Sequence, residues 1–278
     1  KLTDYVNPFV GTDGYGNVYP GAQIPFGGIQ MSPDTDSRFY DAASGYKYNH
    51  LTLMGFSLTH LSGTGIPDLG DFLFIPGTGE MKLEPGTHED PDKGYRSRYS
   101  HDKEWASPNY YAVELADYGV KAEMTSGVRS GMFRFTYPES DSAFIMIDMN
   151  HTLWQSCEWS NLRMINDSTI TGYKLVKGWG PERHVYLTAT FSKKLTGLRF
   201  MQDKKPVIYN TSRFRSSYEA WGKNLMACLS FDTKAGEEVI VKTAVSAVST
   251  DGARNNMKEL DGLTFNELKA KGEAHKGK

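Results

Sequence analysis

An all-β sandwich is the fold class this sequence predicts, on three observations: short segments of alternating apolar and polar residues follow one another, helical periodicity is scarce between them, and glycines and tyrosines crowd the intervening turns. Tyr111-Val113-Leu115 and Val120-Ala122-Met124 alternate as half-buried strands do, with Asp117-Tyr118-Gly119 as the turn between them. Phe133 to Tyr137 alternates in the same way. Ala143 to Ile147 is continuously apolar, and Leu225 to Leu229 and Val239 to Val248 are largely so, which is the pattern of strands covered on both faces by two packed sheets. Asn161 to Ile165 and Thr169 to Tyr173 read as a further hairpin around Asn166-Asp167-Ser168. Near the end, Thr264-Phe265-Asn266-Glu267 is a capping box that starts a helix with Phe265 and Leu268 on one face. Gly272 and the polar Gly277-Lys278 ending offer that helix no apolar partner surface, so residues 1–252 are read as the sandwich and 253–278 as the start of a linker.

With 278 residues the chain buries a core without staples. A net charge of −2 leaves no field for phosphate backbones or anionic lipid, which excludes nucleic acid as a partner and favours neutral substrates. No apolar run approaches membrane-spanning length, and Lys1-Leu2-Thr3-Asp4 carries no signal-peptide pattern. Cys157 and Cys228 match no metal or redox spacing and read as core thiols. Gly11 to Gly16 has neither Rossmann spacing nor the lysine of a phosphate loop. Asp34-Thr35-Asp36 begins like a calcium loop but Ser37-Arg38-Phe39 breaks it, and His88-Glu89 lacks the second histidine of a zinc helix. Sequons at Asn150, Asn166 and Asn210 matter only in a eukaryotic secretory pathway.

What remains is a set of loops rich in glycine and aromatic residues: Asn7 to Thr12, Tyr19 to Ala22, Pro25 to Gly28, Ser44-Gly45-Tyr46, then Phe56 to Gly65 and Asp68 to Asp71. A sugar site needs small residues for close backbone approach, carboxylates or amides for hydroxyl groups, and aromatic faces for the ring. The same residues have plain structural uses: glycines in tight turns, Asp68 and Asp71 bracing a loop, His60 as a satisfied buried imidazole.

In their order, Asn7-Pro8-Phe9-Val10-Gly11-Thr12, Tyr19-Pro20-Gly21-Ala22, Pro25-Phe26-Gly27, Ser32-Pro33-Asp34-Thr35, Ser44-Gly45-Tyr46 and the run from Gly55 through Asp71 resemble the N-terminal domain of glycoside hydrolase family 92, the calcium-dependent exo-α-mannosidases. The similarity continues through Tyr99-Ser100-His101 with Glu104, Ser107-Pro108, Tyr110-Tyr111 and Arg129-Ser130-Gly131, and weakens beyond about Asn150. The resemblance implies a β-supersandwich of the galactose-mutarotase type that packs against an (α/α)6 barrel, with an inverting mannosidase site between the two. It implies a secreted, periplasmic or cell-surface bacterial protein that degrades mannose-containing glycans such as N-glycans. The family's acid, base and most calcium ligands belong to the barrel, so no catalytic residue and no metal ligand is carried over to this chain, and calcium is expected in the full-length enzyme.

What does carry over is a supporting role for Ser44, Gly45, Tyr46, His60, Ser62 and Gly63, which would line the sugar pocket or the interdomain seam. Tyr15, Asn17, Asp68, Asp71 and His101 would support those loops. Tyr15 and Asn17 stand where the family often has histidines, and Leu61-Ser62-Gly63 lacks the tryptophan that often accompanies an α-1,2 preference. A different reading makes the chain a free-standing carbohydrate-binding module with Trp105, Trp154, Trp159 or Trp179 as stacking platforms, although core or hairpin packing is the commoner use of such tryptophans. A third reading makes it a self-sufficient sugar-modifying enzyme with Asp68, Asp71, His60 or His101 as acid and base.

Overall fold

A computed structural model describes residues 2–37, 42–207 and 219–275; Arg38-Phe39, the sequon at Asn210 and the Gly277-Lys278 ending lie outside them. Among the described residues, two large antiparallel sheets face each other. One has nine strands, running from an edge at Glu219–Gly222 through Ser156–Asn166, Thr169–Lys177, Arg183–Phe191, Glu237–Ser246, Ser130–Tyr137, Val120–Ser126 and Tyr110–Leu115 to Glu104–Ser107. The other has seven, in the order Ser32–Asp34, Gly55–Ser57, Leu73–Thr78, Ser140–Asp148, Leu225–Thr233, Gly197–Gln202 and Lys205–Pro206.

The expected hairpins form where the alternation put them. Val120, Ala122 and Met124 enter the interlayer core while Lys121 points out, and Gly119, at φ +63, closes the turn by donating its N–H to the Leu115 carbonyl at 2.9 Å. The Asn166 side chain accepts from the Ser168 N–H at 3.0 Å, which makes the second turn an Asx-turn. The apolar run in Ser140–Asp148 is covered twice. Ala143, Ile145 and Ile147 join the core between the sheets, whereas Phe144 and Met146 face a second cluster on the outer side with Met54, Leu73, Ile75, Tyr95 and Met226.

Two helices lie against the nine-stranded sheet: α1, Thr250–Met257, and α2, Phe265–His275. Here the expectation of a helix without an apolar partner is corrected. Phe265 and Leu268 are buried with Met132 and Leu260, the Arg134 guanidinium lies 4.4 Å from the Phe265 ring centre, and Lys269 sits over Tyr110. The partner surface comes from the outer face of the sheet, which the helix's own composition cannot reveal. The boundary at residue 252 falls inside α1, and the carboxylate of Glu259 accepts from the backbone of Val128 at 2.6 Å and Arg129 at 3.1 Å, so the segment after 252 is packed onto the sandwich.

Candidate functional site

Three loops meet at the backbone of Asn17. A left-handed conformation, φ +51, turns its carbonyl inward, where it accepts from the Gly63 N–H at 2.7 Å and from the Ser44 hydroxyl. The Tyr48 N–H donates to the Thr12 carbonyl at 3.0 Å, and the Lys47 ammonium caps the Gly14 carbonyl. The glycine loop, the Ser-Gly-Tyr loop and the loop after His60 therefore form one edge. At its surface Tyr15 is 91% exposed, and Ser62 and Gly63 are exposed beside it.

Beneath this edge lies Asp34, wholly buried. Its two oxygens take the Nε2 of His60 and the Nε2 of His151, each at 2.8 Å. The Nδ1 of His60 faces the Gln30 carbonyl at 2.7 Å. Both nitrogens of this ring face oxygen atoms, which fixes its orientation against the carboxylate. Burial pushes the Asp34 carboxyl up, but the facing His60 and His151 outweigh it and hold the group below the ordinary carboxylate range. Gly45 is required here: its backbone is left-handed, φ +85, and a Cβ built on it would lie 2.0 Å from Asp34 Oδ1.

A second buried carboxylate, Glu104, holds the other side of the Ser-Gly-Tyr loop. It accepts from the Tyr46 phenol at 2.9 Å, the Tyr111 phenol at 2.6 Å and the Nδ1 of His101 at 2.6 Å. The Nε2 of His101 reaches the Tyr48 carbonyl at 2.7 Å, so this ring also bridges two acceptors, and it stacks on Tyr48 with centres 3.9 Å apart. Burial, with Tyr99 and Glu104 nearby, pushes the Tyr46 phenol far up, which keeps it a neutral donor.

The third carboxylate, Asp71, closes the loop after His60. It accepts from Thr59 at 2.7 Å and from Arg183 at 2.6 and 3.2 Å, with the buried Lys174 ammonium 3.4 Å away. Burial raises this carboxyl too, yet Lys174 and Arg183 prevail and lower it. Asp68 accepts from its neighbour Leu69 at 2.6 Å and from the Trp179 N–H at 3.1 Å, which ties a distant hairpin to the loop. Thus Asp34, Asp71 and Glu104 are each engaged by two or more donors, and the first two are held ionised.

Such a donor set does not suit calcium, which needs six to eight oxygen ligands with room to converge. Among the described residues, no grouping of three or more His, Cys, Asp or Glu side chains could hold a metal ion.

The residues named from sequence do converge, and burial divides them into two sets. Ser44, Gly45, Tyr46 and His60, expected to line the sugar pocket or the interdomain seam, are buried beneath the loops in this chain. Tyr15, expected as a support, is at the surface with Ser62 and Gly63, while Asn17, Asp68, Asp71 and His101 make the hydrogen bonds described above. Locking of Asp68, Asp71, His60 and His101 in these contacts leaves none of them placed as a free acid or base. The tryptophans are not in the core either: Trp105, Trp154, Trp159 and Trp179 are 45–63% exposed.

Sequence reasoning gave no role to His151, Lys174 or Arg183. Lys174 had a legible signal, because Ile170, Gly172, Lys174 and Val176 share one face of an alternating strand and a lysine on the inward face needs a buried partner. His151 and Arg183 meet their carboxylates across more than a hundred positions, with no local sign.

Comparison with known proteins matches residues 5–246 to the model of the glycosyl hydrolase family 92 N-terminal domain. A family 92 α-mannosidase of Bacteroides thetaiotaomicron, solved in complex with mannoimidazole, is 96% identical with a TM-score of 0.96, over 99% of this chain and 36% of that one. A second solved family 92 hydrolase is 27% identical with a TM-score of 0.84, again over 99% of this chain and 36% of its own. A curated relative from Arthroderma benhamiae, described as an uncharacterized secreted glycosidase, is 29% identical over 140 residues, which are 50% of this chain and 18% of the relative. The chain spans about a third of the length of the solved enzymes it matches.

Proposed function

The chain belongs to glycoside hydrolase family 92, as its N-terminal domain, and from that premise we propose that it forms one wall of a mannose site in a secreted, exo-acting, inverting α-mannosidase. The Asn17 carbonyl that joins three loops is the observation that carries this reading, because it assembles Tyr15, Ser62 and Gly63 into one exposed edge. Exposed backbone at a glycine, a hydroxyl and a phenol ring are the three chemistries that a pyranose requires. The buried Ser44, Gly45, Tyr46 and His60 hold that edge in register.

Inverting hydrolysis needs one carboxyl group protonated as the acid and another free to activate water, about 6.5–9.5 Å from it. Asp34 and Asp71 are held ionised and Glu104 already accepts three hydrogen bonds, so the acid and base belong to the remainder of the protein, an expected helical barrel. We assign calcium to that part as well, since Asp34, Asp71 and Glu104 beneath this edge are already engaged by donors of this chain. Export is supported by the description of the curated relative as secreted.

The test is an assay of an aryl α-mannoside with calcium, comparing the isolated chain with the full-length protein. Turnover is expected from the full-length protein alone, and robust turnover by the isolated chain overturns the division of labour. In the full-length protein, Ser62→Arg adds bulk at an exposed position and is expected to lower kcat/KM at least about tenfold, through lost positioning of the sugar. Unchanged kinetics would remove this edge from the site.

A further inference from the structure

A cavity of about 900 Å³ opens on the outer side of the seven-stranded sheet, within the size range of small-molecule sites. Met54, Tyr95, Met201 and Met226 form its apolar floor, and none of Tyr15, Asn17, Ser62 and Gly63 lines it. We propose that this cavity is a second saccharide-binding site, separate from the loop edge, which takes a neutral polyhydroxylated ligand against the indole of Trp154.

Trp154 carries the argument. It lines the cavity, is 55% exposed, and sits at φ +71, where a bulky side chain is a true outlier. Strain of this kind persists only where the surroundings impose it. They do so here through the Leu153 N–H to the Leu69 carbonyl at 2.9 Å, the Thr152 hydroxyl to the Gln155 carbonyl at 2.6 Å, and the Gln155 amide to the Pro67 carbonyl at 2.7 Å. Burial of an apolar side chain is not what the strained turn achieves, since Leu153 next door is fully buried without it. The side chain it positions lines the cavity and is more than half exposed, so it offers surface to a ligand.

The polar rim fits hydroxyl groups. Asp148 accepts from the Asn150 N–H at 2.8 Å, and Asp203 accepts from the Asn224 amide at 2.7 Å. A carboxylate offers about four acceptor positions, so both keep capacity for a ligand's hydroxyls. Anionic ligands are disfavoured: the three lining carboxylates Glu84, Asp148 and Asp203 face the two ammonium groups of Lys204 and Lys223. Those two are already paired with Glu84 and Glu158 respectively. An aromatic side chain with neutral amides and carboxylates, and no unpaired ammonium among the described lining residues, is the chemistry of a saccharide and not of a phosphate.

The full-length protein with ¹³C-methyl-labelled methionine tests this by NMR, its Met201 and Met226 signals assigned from Met201→Leu and Met226→Leu. The probe is an S-linked mannotriose, which resists hydrolysis. Both methyls are expected to shift saturably, and Trp154→Ala to weaken binding about tenfold or more, the loss of one stacking face. Asn224→Gly, which removes an amide at φ +55 without straining the backbone, should weaken it severalfold and decides the matter if Trp154→Ala fails to fold. Silent methyls, or equal affinity in the variants, overturn the second site. Turnover of an aryl α-mannoside, read in parallel, reports on the loop edge: methyl shifts without turnover would sink the mannosidase reading and leave this site standing.

Discussion

The interior between the sheets and the interior beneath the loop edge are both buried, yet opposite forces hold them. Between the sheets, Phe74, Phe133 and Phe135 meet at ring-centre distances of 5.2 and 5.3 Å, and the contact is non-directional apolar burial. Under the loops, the buried groups are Asp34 with two imidazoles, Asp71 with Lys174 and Arg183, and Glu104 with two phenols. Apolar packing tolerates volume-conserving exchange, whereas a charge pair has one good geometry. The difference teaches that the loops are shaped by directional bonds, because an edge meant to meet a ligand must keep each backbone atom in place.

Breaking one buried pair and one apolar contact tests this directly. Asp71→Asn leaves Lys174 and Arg183 facing an uncharged amide and is expected to cost about 3–5 kcal/mol of unfolding free energy, the usual penalty for an orphaned buried charge. Phe133→Ala is expected to cost a similar ~3–5 kcal/mol by opening a cavity. The two should differ in where protection is lost: hydrogen exchange should quicken across residues 59–71 and at Trp179 in Asp71→Asn, and in the sheets alone in Phe133→Ala. Matching exchange maps would erase the distinction.

The same pairs set the response to acid. Asp34 and Asp71 have depressed carboxyls, so their contribution is complete above the unfolded-state value, near 3.8, and is lost as pH falls below it toward the folded values. Thermal melts from pH 7 to pH 3 should fall most steeply at the acid end, and Asp71→Asn should flatten that fall. A variant that keeps the wild-type slope would show that Asp71 is not among the groups responsible.

A pair of glycines sharpens the contrast on a smaller scale. Gly45 and Gly63 both have left-handed backbones, at φ +85 and +72, so alanine costs about 1–2 kcal/mol of strain at either. At Gly63 nothing lies within 4 Å of the added carbon, whereas at Gly45 it strikes Asp34 Oδ1. Gly45→Ala should therefore lose more stability than Gly63→Ala in urea titrations, and equal losses would mean that Asp34 moves aside without cost.

How much of this was legible follows from the same contrast. Alternation is local, so Tyr110–Leu115, Val120–Ser126, Ser130–Tyr137 and the hairpin around Asn166 could be read directly. The doubly covered run at Ala143 to Ile147 was equally plain. The loops that meet at Asn17 were marked by glycine and aromatic spacing, but not which members would be buried. That Tyr46 finds Glu104, or Asp34 finds His151, depends on how two sheets stack, and no short window contains it. Lys174 is the exception, since its inward parity announced a buried partner. That the tryptophans lie outside the core was not legible, because size argues for burial, while Trp159 shares the outward face of its strand with the exposed Arg163.

The smallest expected effect concerns α2, where sequence and structure agree on the start and disagree on the rest. Thr264 and Glu267 form the capping box read from sequence: the Thr264 N–H donates to the Glu267 carboxylate at 2.8 Å, and the Glu267 N–H to the Thr264 hydroxyl at 3.3 Å. If the helix stood alone, loss of the cap would unravel it, because an eleven-residue helix is marginal in water. Docked through Phe265, Leu268 and Arg134, it should instead lose about 1 kcal/mol on Thr264→Ala and stay folded. Amide exchange over residues 265–275 decides between the two: moderate quickening fits a docked helix, and complete loss of protection fits an undocked one. A docked α2 makes the sheet's outer face, and not the helix's own composition, the source of its order.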